Sequence, residues 1–270
     1  MHALSQLVAN SLPSGKVFPY TKCDAPALQF HKKAMLSGPT LVLRPIWALE
    51  FGGITEGLIF EWLRHRAITS GLQHEGSQAV RLSYARLQQR LPFVTRRWII
   101  EIIKRLRSIG AIHVVNTTRV NVIVPSDEYE MKTASTPQNN SAMLVFPELA
   151  CKVGLKEAMA LQQIHLRHYF ADGSHWAIRP LSRWQSDSFM FLSIATVKRL
   201  FTRLRERGLV FVQSYDGEAG PVNCYRVNYV KVAEILGLPS PTFKVPEGED
   251  AEGWVDPFYP IKAIEVAHSL

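Results

Sequence analysis

The chain repeats itself, and a repeat narrows the folds open to it, because each copy has to form the same structural unit. Leu41-Val-Leu-Arg-Pro45-Ile-Trp-Ala48-Leu-Glu-Phe51-Gly52 and Leu144-Val-Phe-Pro147-Glu-Leu-Ala150-Cys-Lys-Val153-Gly154 follow one scheme, with proline, alanine, an apolar residue and glycine at 0, +3, +6 and +7. After a one-residue difference in spacing, each glycine leads into a matching helix start, Ile54-Thr-Glu56-Gly-Leu and Leu155-Lys-Glu157-Ala-Met. Leu82-Ser83 then matches Leu181-Ser182, and from there the spacing is strict. Thr95 and Ser193 each stand 11 residues before a leucine (Leu106, Leu204) and 15 before a glycine (Gly110, Gly208). This is a degenerate tandem duplication. A chain of 270 residues has room for two such units, each able to bury a core without disulfides or metal.

Within each copy the local signals agree. Glu56 to about Arg66 and Glu157 to about Tyr169 have helical periodicity, with Leu58, Ile59, Trp62 and Leu63 on one face and Met159, Leu161, Ile164 and Leu166 in the partner. A polar stretch follows each. Ser83 and Ser182 are candidate N-caps of a second helix, and Thr95 and Ser193 of a third, because a Ser or Thr oxygen accepts from the free amides of a first turn. The third helices stop at Gly110 and Gly208, the residue type that suits a left-handed C′ position. Two β-branched runs about a turn come next, Ala111–Val115 with Val120–Val124 in the first copy, and Leu209–Val212 with Cys224–Val230 in the second. They read as hairpins.

Three helices and a hairpin, twice over, is the plan of two tandem winged helix-turn-helix domains in a helix-rich α+β protein. The expected organisation is a basic arm or extra helix over 1–37 (Lys16, Lys22, Lys32, Lys33), a first domain over 38–125 and a second over 142–236. A polar linker over 126–141 joins the domains, and an acidic, Pro/Gly-rich tail fills 237–270.

Charge narrows the function. Thirty-one Lys and Arg against 23 Asp and Glu give +8. Six acids against two lysines make the stretch from Gly237 onward −4, so the preceding body carries +12. A body this basic suits a polyanion. On the third helix of the first copy, Trp98, Ile99, Ile102, Ile103 and Leu106 form the expected inner stripe, which turns Arg96, Arg97, Glu101 and Lys104 outward. In the second copy Ile194, Val197, Leu200, Phe201 and Leu204 face inward. Thr196, Arg199, Thr202 and Arg203 face outward, with Lys198, Arg205 and Arg207 at the margins. Such a helix fits the major groove of B-DNA, where arginine bridges guanine O6 and N7 while other cations hold phosphates. At the hairpins, Arg119 beside Thr117 and Thr118, and Asn223 near Gly217 and Gly220, are candidate wing contacts. The expected DNA-binding set is therefore Arg96, Arg97, Lys104, Arg119, Thr196, Lys198, Arg199, Thr202, Arg203 and Asn223.

The second half carries Pro147-x-x-Ala150-x-x-Val153-Gly154-Leu155-x-Glu157-Ala158-x-x-Leu161-Gln162-Gln163-Ile164-His165 and Trp184-Gln185. These are followed by Phe191-Leu192-Ser193-x-x-Thr196-Val197-Lys198-Arg199, Gly208-Leu209-Val210 and Tyr225-Arg226-Val227-Asn228-Tyr229. Over about 90 residues this resembles the winged-helix module of replication proteins of phages, plasmids and other mobile elements, including replisome organisers. The first half matches loosely, with Trp62 and Leu63 where the family has its Gln-Ile-His run. The resemblance implies binding to double-stranded DNA at origin repeats and recruitment of a host helicase or helicase loader. Winged helices also serve transcription regulators at operator repeats, and one of two such domains can dock a protein partner instead of DNA, so both alternatives stand beside it.

Signs of catalysis are missing. There is no GxxxxGK[ST], HExxH or GxSxG, so the P-loop, zincin and hydrolase readings lack their motifs. His165 and His168 are three apart on a helix, without an evident third ligand. Tyr169 lacks the His-x-His pair of a nicking site. Gln162, Gln163 and His165 read as surface or inter-helix contacts, and the tryptophans, including Trp62, Trp98, Trp176 and Trp184, as core anchors. Cys23, Cys151 and Cys224 are widely spaced and read as buried, reduced thiols. The expectation is a non-enzyme with no cofactor or metal, monomeric or dimeric. With neither an apolar span nor a signal segment, it belongs with the nucleoid in the cytoplasm rather than in a membrane.

Overall fold

The computed structural model describes residues 40–116, 121–129, 142–170, 176–217 and 220–239. The N-terminal arm over 1–37, most of the linker and the tail beyond residue 239 lie outside the described residues, as do Arg119, Thr117 and Thr118. The chain is an α+β protein in which small antiparallel sheets accompany the helices.

The first copy runs β1 (Leu41–Leu43), α1 (Pro45–Glu50), α2 (Ile54–Ser70), β2 (Leu72–His74), β3 (Ser77–Leu82), α3 (Tyr84–Arg90), α4 (Arg96–Ser108), β4 (Ile112–Asn116) and β5 (Asn121–Pro125). The second runs β6 (Met143–Val145), α5 (Pro147–Val153), α6 (Leu155–Phe170), β7 (Ala177–Ile178), α7 (Leu181–Asp187), α8 (Ile194–Glu206), β8 (Val210–Gly217), β9 (Gly220–Val227) and α9 (Tyr229–Leu236). The shared scheme now has a physical cause. Pro45 and Pro147 begin α1 and α5, where the missing N–H costs no hydrogen bond. Ala48, Phe51, Ala150 and Val153 are buried. Gly52 (φ 68°) and Gly154 (φ 106°) turn the chain through left-handed backbone into α2 and α6.

The chain divides into two compact units. One comprises Gly38–Met159 with Ser182–Val197, and the other Ala160–Leu181 with the chain from Lys198 onward. In the first unit β1 pairs antiparallel with β6, Leu41 opposite Val145 and Leu43 opposite Met143. A four-stranded antiparallel sheet in the order β2-β3-β5-β4 accompanies them. Trp47, Phe51, Phe60 and Tyr129 form an aromatic cluster with centroid separations of 4.8 to 6.2 Å, so the start of the stretch read as a linker is packed. The second unit contains the sheet β7-β9-β8, in which β8 and β9 stay in register from Val210 opposite Val227 to Gly217 opposite Gly220. Phe201 of α8 packs edge-on against Tyr225 of β9 at 4.5 Å.

Several expectations are corrected. The polar stretch after α2 is a β-hairpin, β2–β3, turned by Glu75 and Gly76 at φ 50° and 83°. Its two-residue connection with both φ positive suits the right-handed twist of paired strands. The run expected as strand to Val230 ends at Val227, and Asn228 caps α9 by accepting from the Lys231 amide at 3.1 Å. Ser182 does not cap α7, which begins at Leu181, so Ser182 lies inside its first turn. The N-terminal halves of α2 and α6 have no single apolar face. Residues from Glu56 to Glu61 are all buried, as are those from Ala158 to His165, which places Gln162, Gln163 and His165 inside. Cys151 is exposed and Cys224 buried.

Candidate nucleic-acid interface

The third helices α4 and α8 have one internal design. Thr95 Oγ1 accepts from the Trp98 amide at 3.3 Å, and Ser193 Oγ from the Thr196 amide at 3.2 Å, so each first turn is closed by a side chain. Ile99, Ile102, Ile103 and Leu106 are buried in α4, and Val197, Leu200, Phe201 and Leu204 in α8, at identical offsets from the cap. Both ends close the same way. Ala111 N donates to Leu106 O and Gly110 N to Arg107 O, while Leu209 N donates to Leu204 O and Gly208 N to Arg205 O, at 2.9 to 3.1 Å. With Gly110 at φ 73° and Gly208 at φ 65°, these are matching Schellman ends.

Each helix is also tied to its surroundings. α4 packs on α2, α3 and β4. The buried Glu56 accepts from Arg105 Nη1 at 3.2 Å, which fixes α4 against α2. In both copies the strand that precedes the second helix pairs with the far strand of the hairpin. Val80 of β3 stands opposite Ile123 of β5, and Ala177 of β7 opposite Tyr225 of β9. A helix held this way has a defined outer face.

That face holds the expected side chains. Arg96 and Arg97 are exposed on the first turn of α4 and have no acidic partner among the described residues. Lys104 is exposed and donates to Glu101 at 3.0 Å. On α8, Lys198, Arg199 and Arg203 are exposed, whereas Thr196 and Thr202 are half-buried. Thr196 Oγ1 lies 2.9 Å from Ser193 Oγ. Arg199, Thr202 and Arg203 share one strip, as residues three and four apart do. Asn223 is exposed within β9, paired with Ser214 rather than at the hairpin tip, and donates to the Tyr225 hydroxyl at 3.4 Å.

Two residues of the expected inner stripes point the other way. Trp98 is 49% exposed and Ile194 is 52% exposed. Both sit at the margin of the core stripe, at the offsets where the other copy has Thr196 and Arg96, and both lie in the first turn, where helical side chains lean toward the N-terminus and past the packed layer. The signal that distinguishes them is position, since each lies within three residues of its cap. Among the expected anchors Trp184 is fully buried, and Trp47 is buried with it.

The remaining polar candidates do other work. His165 Nδ1 lies 2.9 Å from the Tyr229 hydroxyl, and burial pulls the imidazole down to about 4. It joins α6 to α9 as a neutral ring. Among the described residues no group of three His, Cys, Asp or Glu side chains is placed to share a metal ion, and no helix is long and apolar enough to cross a membrane.

No family model and no curated protein matches the chain.

Proposed function

We propose that the chain is a sequence-specific double-stranded DNA-binding protein whose two copies are winged helix-turn-helix domains, with α4 and α8 as recognition helices. The observation that carries this reading is the pairing, in both copies, of a core-locked, capped helix with an outer face rich in arginine and lysine. A helix closed at both ends and anchored on its inner side presents its cations in fixed positions, which is what reading base edges requires. The order of helix, strand, two helices and hairpin, with the early strand on the far hairpin strand, supports the winged-helix assignment.

Within that reading, Arg97 and Arg199 contact bases, while Arg96, Lys104, Lys198 and Arg203 hold phosphates. The resemblance of the second copy to replication proteins of mobile elements gives the biological setting: binding to origin repeats and delivery of a host helicase or its loader. DNA is bound and distorted by the protein, and ATP-driven opening belongs to the recruited factors.

The test is a salt titration of the intact chain on a site selected from a randomised duplex library. With roughly 6–10 phosphates neutralised, affinity falls about 10³–10⁵-fold between 50 and 200 mM salt. A flat salt response, or failure to enrich any sequence, overturns the DNA reading.

A further inference from the structure

The face of α4 holds one side chain that neither a phosphate nor a polar base edge explains. We infer that Trp98 reads thymine, packing its indole on C5-methyl groups in the major groove; the inference rests on the DNA reading and adds a specificity-determining contact to it.

Three observations carry it. Trp98 is the third residue of α4 and is 49% exposed, beside the one end of a recognition helix that reaches base edges. Arg96 and Arg97 precede it, both exposed and without an acidic partner among the described residues, so whatever covers the indole must also accept two cations. An anionic duplex does so, and an apolar protein pocket does not. Finally, the fold does not need the ring. At the same offset α8 has Thr196, half-buried and hydrogen-bonded to Ser193, on a helix with the same cap, the same buried positions and the same glycine end.

Major-groove chemistry then selects the target. Guanine, adenine and cytosine present donors and acceptors there, and only thymine adds an apolar group, its C5-methyl. An indole emerging beside Arg96 and Arg97 matches a thymine flanked by phosphates and guanines. At this offset α8 has Thr196, which carries no ring, so the indole contact belongs to α4; the apolar side chain exposed on the first turn of α8 is the aliphatic Ile194.

The experiment replaces each thymine of the selected site by uracil, which removes only the methyl, and measures binding of the intact chain. Wild-type protein loses about fourfold in affinity at each thymine that Trp98 covers, the ratio expected for one buried methyl. Trp98→Ala binds thymine and uracil equally at those positions, and Trp98→Phe, which keeps an apolar ring, retains most of the discrimination. Selective binding that ignores uracil at every position overturns the Trp98 inference and leaves the DNA reading intact. So does a Trp98→Ala protein with unchanged affinity and an unchanged thymine-to-uracil ratio, which would mean that the indole does not touch the duplex. Absence of any selective, salt-dependent binding by the wild type overturns the DNA reading itself, before any uracil comparison.

Discussion

Glu61 is the clearest place to test how the first copy holds together. Its carboxylate is buried, with 6% of the side chain exposed, and accepts from Trp47 Nε1 at 2.7 Å, Arg64 Nη2 at 2.9 Å and Arg44 Nε at 3.3 Å. Burial alone would push this carboxyl upward, but hydrogen bonds and charge from Arg64, with help from Trp47 and Arg44, hold it below the usual glutamate value. Glu61→Gln keeps the shape and an acceptor for Trp47, but the amide turns donors toward two guanidinium groups. Hydrogen bonds to charged groups contribute about 1.5–3 kcal/mol each. The side chains of Arg44 and Arg64 are 31% and 16% exposed and can partly rehydrate, so the low end applies, and the expected loss is about 2–3 kcal/mol. At about 2–4 °C per kcal/mol, the thermal transition falls by about 4–12 °C. Lys104→Ala, which breaks an exposed pair with Glu101 (67% and 49% exposed), is the control and shifts stability by less than about 0.5 kcal/mol. Calorimetry of the two variants side by side decides it. The sign with pH follows from the lowered pKa: the Glu61 contribution is complete above about 4.5 and is lost as pH falls through the folded value, so Glu61→Gln flattens that part of the curve. A transition within about 1 °C of wild type would refute the argument that this carboxylate organises Trp47, Arg44 and Arg64.

Other outcomes follow from the same geometry. On the proposed DNA reading, Arg97→Ala and Arg199→Ala relax base preference at about 1–3 kcal/mol each, whereas Lys198→Ala weakens all sequences alike; selection on a randomised library separates the two behaviours. At Gly57 a Cβ would lie 2.9 Å from both Ala48 N and Leu43 Cδ1. Gly57→Ala therefore loses about 1–3 kcal/mol despite better helix propensity, while Ala158→Gly at the matching position of α6 loses about 1–2 kcal/mol through propensity and a missing methyl, as urea unfolding will report. His165, held down at about 4 by burial, stays neutral in the folded state, so its contribution is complete above about 6.5 and is lost as pH falls toward 4. His165→Asn, with an amide in place of Nδ1, removes that slope from the stability curve between those pH values.

The parts of the fold legible from sequence are those where one rule acts alone. The four buried residues of α4 and α8, their Ser or Thr caps and their glycine ends follow from a 3.6-residue period and terminal hydrogen bonding, and all recur at fixed offsets. What is not legible depends on partners far along the chain or on a local residue in an unusual role. β7 is two residues long and exists because Ala177 and Ile178 meet Tyr225 and Cys224. The β2–β3 hairpin turns on Glu75, a residue type seldom found at positive φ, next to the glycine that supports it. α9 opens with Tyr229 and Val230, an aromatic and a β-branched residue that read as strand until Asn228 is seen to cap the helix. Glu56, Glu61 and His165 sit on helices whose pattern suggests a wet face, and they are buried because arginines, Trp47 and Tyr229 converge on them from elsewhere.

The same division runs through the candidate interface. Counting from the caps, the inward positions of α4 and α8 hold isoleucine or leucine against valine, leucine and phenylalanine, all apolar and all buried. The outward positions hold Arg96 against Ile194, Arg97 against Ala195, Trp98 against Thr196, Glu101 against Arg199 and Lys104 against Thr202. A core position tolerates only changes that keep volume and apolarity, because an altered methylene is felt throughout a packed interior. An exposed position on a capped and anchored helix has no such restriction, so the copies part there without disturbing the fold. The architecture rests on what the two helices share, and any difference in what they bind has to come from the residues they do not.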